Sequence, residues 1–469
     1  MSVSWDDLVA SAVIGTARRP PAIPEEPRTV LAAIDQDDAE GAVLKAGAVL
    51  GLYRQAGARP AVEDSPRPAP APDERRPYCS VAAAERLDTM LAGRFRTVLG
   101  EWLRLVAGAG QLVPPDRLPA LLHAGSVDPR LRASATDVIG ERGRWLGGRN
   151  PAWAWASGTA DDDAGTWATG SRDARRLVLA RLRSTDPGRA RQLLASTWAT
   201  ETAEDRAAFL GVLATGLSMD DEPFLEAALD DRRKEVRHAA AGLLWGLPRS
   251  RLGERMAERT RSLVEVPAVR LPEAVDRAMV RDGVVARPPA GAGQRAWWLH
   301  QLVSATPLST WTGEPARLVE QAPPVLRQAW AEAAARQRDE EWAMALLDAG
   351  HIEQPALLGA VSHDRAVAVA TRRVAGEGLT PGVIDVLDHC PDPWGPELSR
   401  VVVERLAEAV KRPTRPDGRL VGLAGRLDPT VAAAAVAAVA DHSGRWSDVV
   451  SLFLDLLTFR AEMYEELPS

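Results

Sequence analysis

The sequence predicts an all-α protein, and three observations carry the prediction. Residues suited to pleated sheet are scarce: 469 positions hold six Ile, five Phe and three Tyr, while Ala, Leu and Arg dominate. Apolar residues recur at the i, i+3, i+4 and i+7 spacing of a one-sided helix. Helix-start signals punctuate these runs. Asp128-Pro129, Asp186-Pro187 and Asp428-Pro429 each join a side-chain acceptor for first-turn N–H groups to a ring that needs no donor.

Taken in order, residues 1–57 read as an N-terminal helical segment, interrupted by a turn-rich stretch containing Pro20, Pro21, Pro24 and Pro27. Residues 58–77 carry six prolines in twenty positions, a spacing that no helix or central strand survives, and read as an extended tether. Pro21-Ala-Ile-Pro24 and Pro24-Glu-Glu-Pro27 have the form of a proline-rich recognition motif, but a spacer explains the composition more simply. Beyond the tether, a helix opened by Thr202 aligns Ala207, Leu210, Leu213 and Leu217 on one face, and the next runs align Phe224, Leu225, Ala228 and Leu229, then Val236, Ala240 and Leu243. The stretch from Asp231 through Val236-Arg237 to Leu244 resembles the second helix of a HEAT repeat, with weaker copies at Asp128 and Asp428. The expected architecture is therefore a HEAT-like α–α superhelix, a solenoid whose helix pairs complete one another's cores. It divides into a first array over 78–285 and a second over 294–469, parted by Arg287-Pro-Pro-Ala-Gly-Ala-Gly293. In the second array helices are expected over 295–304, 324–335, 340–347, 355–361, 366–374, 381–387, 397–410 and 449–463.

Composition bounds the function. Net charge is −7, which argues against a life spent on nucleic acid or an anionic membrane surface. Two cysteines, Cys79 and Cys390, exclude a disulfide scaffold and a multi-cysteine metal knot, and fit a reducing cytoplasm. Acidic residues follow Met1 where a secretory signal needs basic ones, and the longest apolar run, 431–440, is half a bilayer span. A soluble cytoplasmic protein is expected, with no cofactor and no metal.

No nucleophile elbow, Ser–His pairing or His-Glu-x-x-His element occurs. The Gly140-Glu-Arg-Gly143 run lacks the preceding strand and the Gly-Lys-[Ser/Thr] of a phosphate loop, and reads as the end of a helix over 129–142. Asp161-Asp162-Asp163 lacks the Gly and Glu of a calcium loop, and His389-Cys390-Pro-Asp392 has no partner cluster. Charge patterning says more. Residues 172–191 hold seven Arg against two Asp, 201–231 nine acids against one Arg, and 232–261 nine basic residues against three acids. Such blocks either pair across neighbouring helices or present a binding surface. Just upstream, Trp145, Trp153, Trp155 and Trp167 fall within 23 residues. The candidate partner-binding set is Arg149, Trp153, Trp155, Trp167, Arg172, Arg175, Arg176 and Arg183. On a helix over about 171–183, Ala174, Leu177, Val178 and Leu182 form the buried face; Arg172, Arg176 and Arg183 then project together as a ridge, with Arg175 on its flank.

The runs Gly140 to Trp153, Trp167 to Leu177, Leu182 to Pro187 and Arg206 to Arg237 are similar to an uncharacterised bacterial helical-repeat family, a domain of unknown function. Ile14-Gly-Thr-Ala-Arg18 and Pro393-Trp394 extend the resemblance along most of the chain. It implies genes nearby for a SWIM zinc-finger protein, a MoxR-type AAA ATPase and von Willebrand A-type proteins, and it brings no catalytic residue. The leading expectation is a non-catalytic scaffold or adaptor that grips a protein partner, in an AAA ATPase-associated system. An alternative is a nucleic-acid enzyme resembling HEAT-like DNA glycosylases, with Trp153, Trp155, Trp167 and an Asp of 161–163 beside the arginine block. A third reading is a ligand-handling lyase of the HEAT-like bilin type.

Overall fold

A computed structural model of the protein describes residues 5–21, 23, 34–35, 37–57, 69–157, 163–350, 355–412, 415–439 and 446–467. Most of the expected tether, Asp161 and Asp162 lie outside the described residues. The protein is helical: among the described residues the strands are Val264–Glu265 and Ala268–Val269, a two-residue antiparallel pair. The chain forms two compact units, Met1–Pro70 and Ala71–Ser469.

In the first unit, helices Trp5–Ile14 and Ala39–Gly57 enclose a small core of Leu8, Ile34, Ala42, Val43, Ala46 and Leu50. Ser11 Oγ donates to the Asp7 carbonyl at 3.0 Å, and Arg19 pairs with Asp7 at 3.1 Å.

In the second unit the sequence punctuation works as its chemistry requires. Asp186 accepts from Arg189 N and caps Pro187–Thr197; Thr202 accepts from Asp205 N and caps Ala203–Val212. Asp128 and Asp428 accept from Arg130 N and Thr430 N, and each opens a single 3₁₀ turn. The expected helices after residue 294 are present within a few residues of their ends, with 355–360 tightened to a 3₁₀ helix.

One local expectation is corrected. No helix runs through 129–142: a 3₁₀ turn and a short helix Arg132–Thr136 precede Gly140, which opens the helix Gly140–Gly147 at φ +64°. The turn leaves N–H groups of Glu141 and Arg142 unpaired within the helix, and the Glu74 carboxylate takes both, at 3.0 and 2.8 Å. A Cβ at Gly140 would stand 2.5 Å from the Glu74 oxygens, so glycine answers both the backbone angle and the approach.

Two apolar clusters fill this unit. One joins helices from both ends of the unit, Cys79 to Ala156 with Leu299 to Leu467. The other holds the middle, Trp167 to Met256 with Val284, Leu302 and Ala305. The first cluster exists because the last helix, Ser447–Glu466, packs on Val81–Leu91. Phe453, Leu457 and Met463 are fully buried there, each contributing roughly 1.5–3 kcal/mol by leaving water. Ion pairs line the seam: Arg86 with Glu462 and Glu466 at 2.8 and 2.7 Å, Arg94 with Asp455 at 2.8 Å, and Arg460 with Glu101 at 2.6 Å. Phe95 and Phe459 meet between them at 4.8 Å.

Candidate functional site

The arginine block occupies the helix Arg172–Thr185, capped by Ser171, whose side chain accepts from Ala174 N. Its buried face is Val178, Leu179 and Leu182, while Leu177 is 40% exposed. The expected ridge is therefore not continuous. Arg172 and Arg176 are exposed, but Arg183 has no exposed side-chain surface. Its guanidinium makes a two-pronged pair with Asp221, both bonds 2.9 Å, and donates to the carbonyls of Thr215, Leu213 and Gly216 at 2.7, 3.0 and 2.8 Å. Those carbonyls belong to the turn that follows Ala203–Val212, where no helical N–H reaches them. A buried guanidinium with five donors is the group that can satisfy such a turn. The helical wheel sends position 183 outward; this turn lies across it and closes it over.

The other members of the set are engaged as well. Arg172 pairs with Asp205 and with Glu204, the latter at 2.6 Å, and Arg175 pairs with Glu201 while lying 4.4 Å from the Trp167 ring centre. Arg176 reaches Asp173 at 3.7 Å. The acidic and second basic blocks continue the pattern: Arg251 with Glu222, Arg255 with Glu226 and Asp282, and Arg259 with Asp282. Of the two readings of these blocks, pairing between elements accounts for Arg172, Arg175, Arg183, Arg191, Arg251, Arg255 and Arg259.

Nor do the tryptophans converge. Trp167 is 4% exposed, packed against Phe209 in the middle cluster. Trp153 and Trp155 are half-buried against the other cluster, where Trp155 Nε1 donates to Ser126 Oγ at 3.3 Å. Arg149 lies over the Trp145 ring at 4.2 Å. Trp153 and Trp155 thus pack on one cluster and Trp167 in the other, while Asp161 and Asp162 of the same expected set lie outside the described residues. At His389-Cys390-Pro-Asp392, His389 Nδ1 is 2.9 Å from the Asp385 carbonyl, Asp392 pairs with Arg426, and burial pushes the Cys390 thiol up to about 11. These side chains are spent on the fold.

The seam between the two ends of the second unit forms a site that the sequence did not announce. A cleft of about 970 Å³ is walled by four separate segments: Thr97 to Leu105, Asp392 to Trp394, Gly422 to Thr430, and Arg460 with Tyr464. At its base Arg460, 5% exposed, holds Glu101 with two bonds and donates to the carbonyls of Ala424 and Leu427 at 2.9 and 2.5 Å. Tyr464 donates to the same carboxylate at 2.9 Å; burial and that carboxylate push its hydroxyl up to about 12. On another wall Arg426 lies 4.5 Å from the Trp394 ring centre, pairs with Asp392 at 2.8 Å and donates to the Leu387 carbonyl at 2.6 Å. Arg104, exposed, lines the cleft beside Gly100, where a Cβ would lie 3.8 Å from its Nη1. Pro393-Trp394 and Asp428-Pro429 were the only signals of this place in the sequence, and neither points to its partner segments.

A family model described as a family of unknown function, DUF5691, matches residues 7–467. The chain belongs to the DUF5691 family. No curated protein and no solved structure matches it. The family supplies no site residue, so the DUF5691 site rests on its own geometry. Among the described residues, no group of three or more His, Cys, Asp or Glu could hold a metal ion, and no helix is long and apolar enough to cross a membrane.

Proposed function

We propose that this DUF5691 chain is a non-catalytic scaffold that takes hold of a protein partner, in the cytoplasm. The observation that carries the reading is the open cleft at the seam, whose walls present Tyr464, Arg104 and Arg426, with Trp394 buried beneath Arg426. Trp, Tyr and Arg are the side chains that most often anchor protein interfaces, because each combines a large apolar body with donors of fixed direction. The largely buried Arg460–Glu101 pair ties the last helix to Leu99–Gly108 at the cleft, and walls held in this way lower the ordering cost of binding. The succession of helices supports a HEAT-like arrangement: Ala203–Val212 packs on Lys234–Leu244, Gln294–Ser304 on Pro324–Gln337, and His363–Glu377 on Pro396–Val410. An ATPase-associated protein, the partner class implied by the family resemblance, is the first to test.

The test is copurification from native cells at normal abundance, comparing the wild-type chain with Thr430→Trp, which narrows the cleft from an exposed position. The reading expects one stoichiometric protein with the wild type and its loss with the variant, at unchanged helicity. A metabolite in place of a protein, or a partner retained by Thr430→Trp, overturns it.

A further inference from the structure

We propose that the cleft receives an acidic peptide segment, with Arg104 as the group that holds its carboxylate; this rests on the cleft being where the partner docks. The charges lining the cleft are three cations, Arg104, Arg426 and Arg460, and three acids, Glu101, Asp392 and Asp428. Two pairs cancel within the walls. Arg460 neutralises Glu101, whose oxygens also take the Tyr464 hydroxyl, and Arg426 neutralises Asp392. Arg104 and Asp428 are left, and they are left in different states.

Asp428 accepts from Thr430 N at 2.9 Å and Thr430 Oγ1 at 2.5 Å, so its carboxylate is already hydrogen-bonded. Arg104 has no ion-pair partner among the described residues, and its side chain is exposed at the cleft wall. A guanidinium offers two parallel donors to a carboxylate, a geometry that gives specificity as well as attraction. The hydrogen bonds to Asp428 and Asp392 reach Oδ1 in each case, and the Oδ2 atoms, which take no hydrogen bond among the described residues, call for donors. An extended peptide supplies both kinds of group: a side-chain carboxylate for Arg104 and backbone N–H groups for the acids. A free phosphate or small dicarboxylate supplies only negative charge and meets the two aspartates. The volume, at the upper end of the range for small-molecule pockets, also suits a segment of chain.

The experiment uses the full chain and fluorescein-labelled eight-residue peptide pools, one with Glu or Asp and one with Gln or Asn at the same positions, read by fluorescence polarisation. The acidic pool should bind at low salt and weaken as salt rises, and the neutral pool should bind at least about tenfold less well. Arg104→Gln should lose that preference, and Arg104→Glu should turn it toward a lysine pool. Because Arg104 is exposed, both variants should keep wild-type circular dichroism. Equal binding of the pools, binding of neither, an unchanged Arg104→Gln protein, or displacement of the acidic pool by equimolar glutarate or inorganic phosphate overturns the assignment. The underlying reading is separated by the native partner. If it is retained by Arg104→Gln but lost with Thr430→Trp, the cleft still docks a protein and the acidic anchor falls.

Discussion

Replacing Arg183 by Gln distinguishes a surface arginine from a structural one. The Arg183 and Asp221 side chains are both wholly buried, and six hydrogen bonds of the guanidinium lie between 2.7 and 3.3 Å. Glutamine is shorter and offers two donors, so it cannot serve Asp221 and the carbonyls of residues 213–216 together. Breaking a buried pair by removing one partner costs about 3–5 kcal/mol, mostly from the charge left behind. Asp221 keeps Arg191 at 2.9 Å and the Ser218 N–H at 3.1 Å, which sets the expected loss near the lower end, about 3 kcal/mol. That is a large part of a typical domain's stability of about 5–15 kcal/mol. Urea denaturation followed by circular dichroism should show a clearly lowered midpoint for Arg183→Gln. Arg172→Gln and Arg176→Gln, on exposed side chains, should leave it at the wild-type value. If Arg183→Gln unfolds with those two, the buried assignment and the account of the 213–216 turn are both wrong.

Three further outcomes follow from the same kind of reasoning. Arg460→Gln leaves Glu101 without its two-bond partner at the seam and should destabilise by about 3 kcal/mol, with the last helix showing faster hydrogen exchange than Lys234–Leu244; equal exchange would refute the closure. Gly140→Ala, at φ +64° and against Glu74, should cost about 1–2 kcal/mol in thermal unfolding, and Glu74→Ala in the same background should recover part of it. For acid unfolding, burial opposes the charges of Asp221 and Asp282, but Arg183 with Arg191 and Arg255 with Arg259 override it and hold both below the usual carboxylate range. A depressed folded pKa means stability that is present above the unfolded value of about 3.9 and drains away as pH falls through the folded one. Asp282→Asn should accordingly flatten stability against pH below about 4 in urea titrations, and an unchanged slope would count against the pairing.

How far the fold is legible in the sequence depends on how local the cause is. Asp186-Pro187 and Thr202 mark helix starts because the cap and the N–H groups it satisfies are neighbours in the chain. The pairing of the charged blocks was legible as one of two readings, since adjacent helices of opposite sign attract wherever they meet. Arg183 was not legible as buried. Helical period assigns a polar residue outward, and only the turn at 213–216, thirty residues on, reverses that. Gly140 misled for a related reason: a glycine at positive φ serves to end a helix or to begin one, and the choice was made by Glu74. The cleft was beyond reach because its walls, Glu101 and Arg460 among them, come from opposite ends of the second unit.

The central claim, that a protein partner docks at the seam, is met most directly by a photocrosslinker placed in the chain in native cells. With benzoylphenylalanine at Tyr464 or at Thr97, which is exposed in the cleft lining, the account predicts one crosslinked protein, shared by both positions and absent with the same group at Arg176. Crosslinks from Arg176 alone, or none from the two cleft positions, would contradict it.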